Sequence, residues 1–444
     1  MDGVAATLVF AAGIATVIIL TSKFKIQPFL VLFFVALAVG LASGLPPEGM
    51  GDLVIEGFSK VLGYTAVITV SALIIGVIML QTGAVFVISK AVLSLLGKER
   101  SHFAMGLIGY IVAYPVQCSD TSFIMLSPLL QSLMAGGGLD MMVYVLTLSA
   151  GAFVSYAMLF PSAPLLSVTI LGADIGKVLI LGFAVSIPAL IVGLVAAEYL
   201  GRRNKLNVDA RGAKTLEEIG AQYGKLPGMV SVFAIIIIPT ALIIGRSLLR
   251  GILDGSMLPV IDFVGNPVIA LPIGVLLAVY LLARKRGIED INGMISEGVT
   301  KSASVLMIVG SGSVLALVLQ KTGVGVFLGN LAVGLNLPGL LVIFVIAALL
   351  KTAQGGTTVT MTTATAIIGP LLPAFGITPV MAAMTICAGA MILVHVNDSF
   401  FWVVSGFTKM EVGTAYKTLT VIMAAMGVVV FAFVALLGPI LGFA

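Results

Sequence analysis

Two interrupted apolar runs decide the fold: YIVAYPVQCSDTSFIML at residues 110–126 and LLKTAQGGTTVTMTTATAII at residues 349–368. Each sets helix-breaking and polar residues in the middle of a stretch otherwise apolar enough for hydrocarbon. Backbone N–H and C=O groups left unpaired in lipid each cost several kcal/mol, so non-helical backbone at membrane depth survives only where it is buried in protein or lines a cavity. The two runs therefore predict re-entrant hairpins, over about 102–134 and 338–373. The rest of the chain agrees with a membrane setting. Of its 444 residues 60% are hydrophobic and 9% charged, which is material for about thirteen crossings at roughly 20 residues each. A soluble chain carries about a quarter charged residues, so a soluble enzyme or nucleic-acid binder is excluded.

Basic residues orient the spans. Asp2 precedes the first apolar run while Lys23 and Lys25 follow it, the reverse of a secretory signal; a retained first helix with its N-terminus outside is expected. Counting on through crossings at about 28–44, 57–88, 140–170, 176–199, 228–249, 264–283, 302–320 and 377–407 puts the C-terminus outside too. Lys90, Lys98, Arg100, Arg202, Arg203, Arg211, Lys214, Arg284 to Arg286, Lys409 and Lys417 then fall inside, with seventeen of the 23 Lys and Arg residues. That asymmetry is what the positive-inside rule asks of a multi-pass protein, here of a cell (inner) membrane.

The halves resemble each other. LQTGAVFVIS, with Thr82-Gly83, matches LQKTGVGVFLGN, with Thr322-Gly323; SPLL at Pro128 matches GPLL at Pro370; AGA recurs at 150–152 and 388–390; and Lys177 matches Lys417. The first copy starts outside and the second inside, so the repeat is inverted, the signature of an alternating-access secondary transporter. The expected organisation is N-terminal scaffold helices (1–56), a first transport repeat (57–199), a cytoplasmic linker (200–227), scaffold helices (228–297) and a second, inverted repeat (298–444). The fold class is an all-α polytopic membrane protein with two re-entrant hairpins and broken helices.

The breaks locate the site. Pro115 with Gln117 to Ser122 interrupts the first hairpin, and Gln354-Gly355-Gly356-Thr357-Thr358 the second. The crossings that follow are broken at Phe160-Pro161-Ser162-Ala163-Pro164 and at His395-Val396-Asn397-Asp398-Ser399. Half-helices that start near the midplane, after Asp120 and after Gly356, present free N–H groups and about half a positive charge each, which suits an anion. Hydroxyls of Ser119, Thr121, Ser122, Ser162, Thr357 and Thr358 suit a hydroxy acid. No arginine cluster is present to hold a polyanion, so the expected ligand is a small organic anion. Asp120 either caps its half-helix or serves ion and substrate. Threonines 357 to 365 are expected in good part to bond back to their own helix. Lys351 reads as a lysine snorkelling to the outer surface, His395 as packing or coupling, and Trp402 as packing or an interfacial anchor. Asp398 beside Asn397 reads as functional, because an intramembrane acid is expensive. Cys118 and Cys387 lie in apolar runs, so no disulfide, metal or cofactor is implied. The absence of GxxxxGK[ST], HExxH and GxSxG argues against ATP-driven transport and against an enzyme.

VIAALLKTAQGGTTVTMTTATAIIGPLL at 345–372 and ILVHVNDSFFWVVSGFTKMEVGTAYKTLTV at 392–421 resemble the gluconate permease (GntP) family, whose pattern reads roughly AQG-x-x-TVAMTTA and then HVND-x-x-FW. PLLSVTILGADIGKVLILG at 164–182 is similar too. The resemblance implies a proton-coupled symporter of sugar acids or related carboxylates, an elevator motion, and binding positions at Gln354, Gly355, Gly356, Thr357, Thr358, Asn397 and Asp398. The first hairpin departs from the family: Pro115-Val116-Gln117-Cys118-Ser119-Asp120-Thr121-Ser122-Phe123 shifts the acid by one position and lacks a glycine, and the run at 160–164 lacks a histidine. The functional expectation is import of a small organic acid such as gluconate with H⁺, ion coupling falling to Asp120, His395 and Asp398. The alternatives are Na⁺-coupled uptake of a carboxylate or hydroxy-amino acid, and cation/proton antiport. Expected partners are the anion, H⁺ or Na⁺, membrane lipid and a second copy of the chain, a dimer in the first instance.

Overall fold

A computed structural model describes residues 3–97, 99–137, 139–206, 215–250, 257–322, 337–396 and 398–443; Lys98, Arg211, Lys214 and Asn397 lie outside them. The described residues contain helices and no strand. In chain order the principal helices are α1 (Gly3–Ile18), α2 (Pro28–Ala42), α3 (Pro47–Gln81), α4 (Ala84–Leu96), α5 (Ser101–Val116), α6 (Ser119–Gly137), α7 (Met141–Met158), α8 (Pro164–Leu171) and α9 (Ile175–Arg203). After the short helix Leu216–Ala221 come α10 (Met229–Leu249), α11 (Pro267–Ala278), α12 (Ile288–Thr322), α13 (Gly339–Gln354), α14 (Thr357–Ile368), α15 (Pro379–Met391), α16 (Ser399–Thr408) and α17 (Val421–Ile440). Among the described residues six helical stretches are long and apolar enough to cross a membrane, or up to eight if each of two bent pairs is one span.

One bent pair replaces the rod expected at 57–88. The chain turns by 70° between α3 and α4 at Thr82-Gly83, where Gly83 sits at φ 76°, a left-handed conformation that glycine adopts without a Cβ clash. α3 also starts ten residues before its apolar run, because Glu48, Asp52 and Glu56 stand on one exposed stripe and leave the other face free to pack.

Several helices of the two halves have equal lengths. α3 and α12 have 35 residues each, and α5 and α13 have 16 each. α6 and the helical stretch Thr357–Phe375 have 19 each, as do α9 and Val412–Ile440 at 29. Close backbone approaches recur at matching places. A Cβ on Gly151 of α7 would sit 1.8 Å from the Gly106 carbonyl of α5, and one on Gly389 of α15 would sit 2.6 Å from the Phe344 carbonyl of α13. Small residues let helices touch backbone to backbone where lipid supplies no hydrophobic drive between them. α3 and α12 run antiparallel along each other, Gly57 against Val314 at one end and Gly298 against Ile74 at the other.

Candidate functional site

The tips of both hairpins are built alike. Pro115 removes one intrahelical donor in the last turn of α5, and Gln117 closes the helix in the left-handed region (φ 57°), its N–H donating to the Ala113 carbonyl at 2.9 Å. In the second hairpin Gly355 (φ 77°) donates to the Lys351 carbonyl at 2.8 Å, and extended Gly356 leads into α14. The other two breaks follow α7, which ends at Met158 before a cis Phe160–Pro161 bond, and α15, which ends at Met391.

Where these breaks meet, two ionisable side chains, Lys351 and Asp398, are buried, and a third, Asp120, is half-buried. Lys351 is wholly inaccessible; its ammonium donates to Asp398 Oδ2, to the Gly355 carbonyl and to Thr357 Oγ1 at 2.9 Å. All three N–H groups are thereby used. The ammonium also lies 5.7 Å from the Phe153 ring centroid, within cation–π range. Asp398 caps α16 through Oδ1, which accepts the Phe400 N–H at 2.8 Å, while its own N–H donates to the His395 carbonyl at 2.7 Å. Asp120, in the first turn of α6, accepts from Ser119 Oγ at 3.1 Å and lies beside Ser399, Asp398 and Lys351. Tyr156 bonds to Thr358 Oγ1 at 2.8 Å across from α7 to α14. Phe400 stacks on Phe153 at 5.4 Å and meets Phe123 edge-on at 6.2 Å, closing one side.

Ser119, Asp120, Gly355, Thr357, Thr358 and Asp398 are thus brought close to one another. Ser122 Oγ instead bonds to the Cys118 carbonyl at 2.7 Å, and the Thr121 N–H faces the Cys118 sulfur at 3.5 Å. Gln354 reaches Thr363 at 3.4 Å through Nε2. Its buried Oε1, with Ser162 Oγ, Ser155 Oγ and Thr360 Oγ1, finds no partner among the described residues. His395 Nε2 pairs with the Thr352 carbonyl at 2.8 Å and its ring stacks with Tyr416. Trp402, half exposed, donates to the Val396 carbonyl at 2.7 Å.

Two expectations need correcting. Lys351 does not snorkel: the apolar stretch before it gave no hint of Asp398, 47 residues on, which holds the ammonium inside. Of the threonines from 357 to 365, Thr362 bonds back to its own helix at 3.0 Å, whereas Thr357, Thr358 and Thr365 bond to Lys351, Tyr156 and Ser167. Their hydroxyls are used between segments. Tyr156 carries no signal of its own in the sequence, since a tyrosine within an apolar run reads as packing, and Ser399 is marked only as the end of the break that carries Asp398.

A cavity of about 30 Å³, room for one or two waters, lies between Pro115 and Gln117 of the first tip, Pro161, and Pro239 and Thr240 of α10. A larger cavity, about 220 Å³, lies elsewhere, between α3, α12 and the far ends of α8 and α14 at Leu171 and Gly369. Gly369 stands twelve residues beyond Thr357, about 18 Å along a helix. None of the cluster residues lines that cavity. Among the described residues no group of His, Cys, Asp and Glu could hold a metal ion.

Residues 5–440 match the GntP family permease. The chain belongs to the GntP permease family. It is similar to the gluconate permease of Pseudomonas aeruginosa, 29% identical over 96% of this chain and 95% of the relative. The Gnt-II system L-idonate transporter of Escherichia coli K12 is also 29% identical, over 93% and 94%. Among solved structures it resembles the YdaH transporter of Alcanivorax borkumensis, with a TM-score of 0.65 at 16% identity over 94% of this chain and 98% of that one. MtrF of Neisseria gonorrhoeae gives 0.66 at 14% identity over 94% and 96%. At such identities the likeness is one of fold. As a GntP permease the chain is a multi-pass membrane transporter and not an enzyme.

Proposed function

We propose that this GntP permease imports a small organic anion, gluconate, idonate or a related sugar or hydroxy acid, together with H⁺ across the inner membrane. The observation that carries the reading is the cluster of buried Lys351 and Asp398 with half-buried Asp120 at the meeting of four helix breaks. Nearby lie polar atoms that find no protein partner among the described residues, Ser162 Oγ and Gln354 Oε1 among them. Buried polar groups are ordinarily hydrogen-bonded, and ionisable groups at membrane depth mark transport pathways. The names of the relatives, gluconate and L-idonate transporters, favour the same substrate class. A monoanion moving with one proton carries no net charge, so a pH gradient drives it at about 1.4 kcal/mol per unit.

Inverted repeats of 57–199 and 298–444, with re-entrant hairpins and both termini outside, are part of the same reading. Support comes from α3 and α12: they match in length and run antiparallel, and the two glycine contacts exchange under the repeat, Gly57 against Val314 and Gly298 against Ile74. Equivalent helices that run in opposite directions belong to oppositely oriented halves. The hairpins and broken helices would then move as a body past the scaffold helices 1–56 and 228–297, an elevator motion, with 200–227 as the cytoplasmic link.

A thermal-shift screen of small carboxylates on the purified protein tests the substrate class. Stabilisation by gluconate-like hydroxy acids and not by di- or tricarboxylates is expected. Stabilisation by no carboxylate, with Na⁺/H⁺ exchange in liposomes lacking organic substrate, would overturn the reading in favour of an antiporter.

A further inference from the structure

We propose that Asp120 carries the coupled proton, while Lys351 and Asp398 stay charged throughout as a fixed pair that fills the place of a coupling cation. The inference rests on the proton-coupled reading above and assigns its two acids different parts.

The acids differ in what touches them. Asp398 holds the Lys351 ammonium on one oxygen and the Phe400 N–H on the other. Protonating it would strand a wholly buried ammonium and weaken a helix cap at the same moment. The three oxygens around Lys351 Nζ are a carboxylate, a carbonyl and a threonine hydroxyl, hard donors of the kind that coordinate alkali and alkaline-earth ions. A tethered ammonium therefore stands where Na⁺ would be held, and the pair contributes no net charge.

Asp120 accepts a hydroxyl hydrogen bond from Ser119 at 3.1 Å, with Ser399 beside it. Among the described residues no Lys, Arg or His comes within ion-pair distance of it. The charged groups acting on it are Asp398 of the α16 cap and Lys351 of α13, with Tyr156 of α7 and Cys118 of its own tip nearby. On the other elements packed against α6, Tyr110 and Tyr114 of α5 are bonded to Ser186 and Thr240. Glu218 of the 216–221 helix is bonded to the Thr215 N–H, and Glu217 beside it is exposed. The net charge of the cluster is then set by Asp120 alone, negative when ionised and zero when protonated. An organic monoanion entering beside the ionised form meets a like charge in a low-dielectric site; entering beside the protonated form it does not. Proton and anion are thereby coupled, with both leaving together when Asp120 ionises on the other side.

The test uses labelled gluconate and proteoliposomes of wild type, Asp120→Asn, and the doubly neutral Lys351→Met/Asp398→Asn. In Asp120→Asn, accumulation driven by a pH gradient is expected to fall by about tenfold or more, and the remaining counterflow to lose its pH dependence. The doubly neutral variant, whatever its rate, is expected to keep an uptake that rises with the gradient. Infrared difference spectra in the absence of substrate give a readout independent of transport. A protonated-carboxyl band that titrates in wild type is expected to persist in the doubly neutral variant and to vanish in Asp120→Asn. Should Asp120→Asn not fold, persistence or loss of that band in the doubly neutral variant still decides. Gradient-driven accumulation by Asp120→Asn, or loss of the band with the Lys351–Asp398 pair, would overturn the assignment. A wild type that shows the titrating band but neither accumulates nor counterflows gluconate would instead count against the symport reading.

Discussion

Replacing Lys351 by methionine preserves most of the side-chain volume and removes the charge. Asp398, 3% exposed, is then left as a buried carboxylate held by the Phe400 N–H alone. Removing one partner of a buried ion pair costs about 3–5 kcal/mol, and Asp398→Asn, which strands the ammonium, falls in the same range. Independent effects would sum to about 6–10 kcal/mol, comparable to the whole stability of many domains. Combined, the two changes leave no uncompensated charge. What remains is the loss of donors to the Gly355 carbonyl and Thr357, about 1–3 kcal/mol, because the amide oxygen introduced by Asp398→Asn can still accept from the Phe400 N–H. The double variant should thus be more stable than either single one, with a coupling energy of several kcal/mol. Equilibrium unfolding in mixed detergent micelles, run as a double-mutant cycle, measures it. Additivity to within about 0.5 kcal/mol would mean that the pair does not interact as the geometry describes.

Two further outcomes are expected. Gly151→Ala would push a methyl to 1.8 Å from the Gly106 carbonyl, backbone that cannot yield without parting α5 from α7. Loss of folded protein in membranes is expected, while Gly49→Ala, whose Cβ has its nearest neighbour at 3.8 Å, should express normally; equal yields would refute the close crossing. Trp402 is the only tryptophan and its indole is anchored on Val396 in the break that carries Asp398. Its fluorescence should change saturably with gluconate-like acids, and a flat response during demonstrated binding would separate this break from the site.

Much of the candidate site was legible in the sequence because the breaking residues are themselves the signal. Pro115 and the Gly355-Gly356 pair have no place inside a membrane rod, and hydroxyls and acids gathered beside them point to ligands. Partnerships were less legible. Lys351 and Asp398 are far apart in sequence, and a lysine following an apolar run looks the same whether its ammonium reaches out to water or in to a carboxylate. Tyr156 and Ser399 acquire their meaning from α14 and α6, which no local pattern links to them. The 70° turn after Gln81 went unread because the residues on both sides of Gly83 are equally apolar, so hydropathy runs on through it. The acidic stripe of Glu48, Asp52 and Glu56 likewise hid the first turns of α3, as charges on an exposed face lower the local average without ending the helix.

The central claim, a buried charged cluster that moves a small organic acid with a proton, is tested most directly by labelled gluconate uptake into proteoliposomes under an imposed pH gradient without Na⁺. The result expected is accumulation above equilibrium on the alkaline side, abolished by a protonophore. Accumulation that requires Na⁺ and ignores the pH gradient would contradict it.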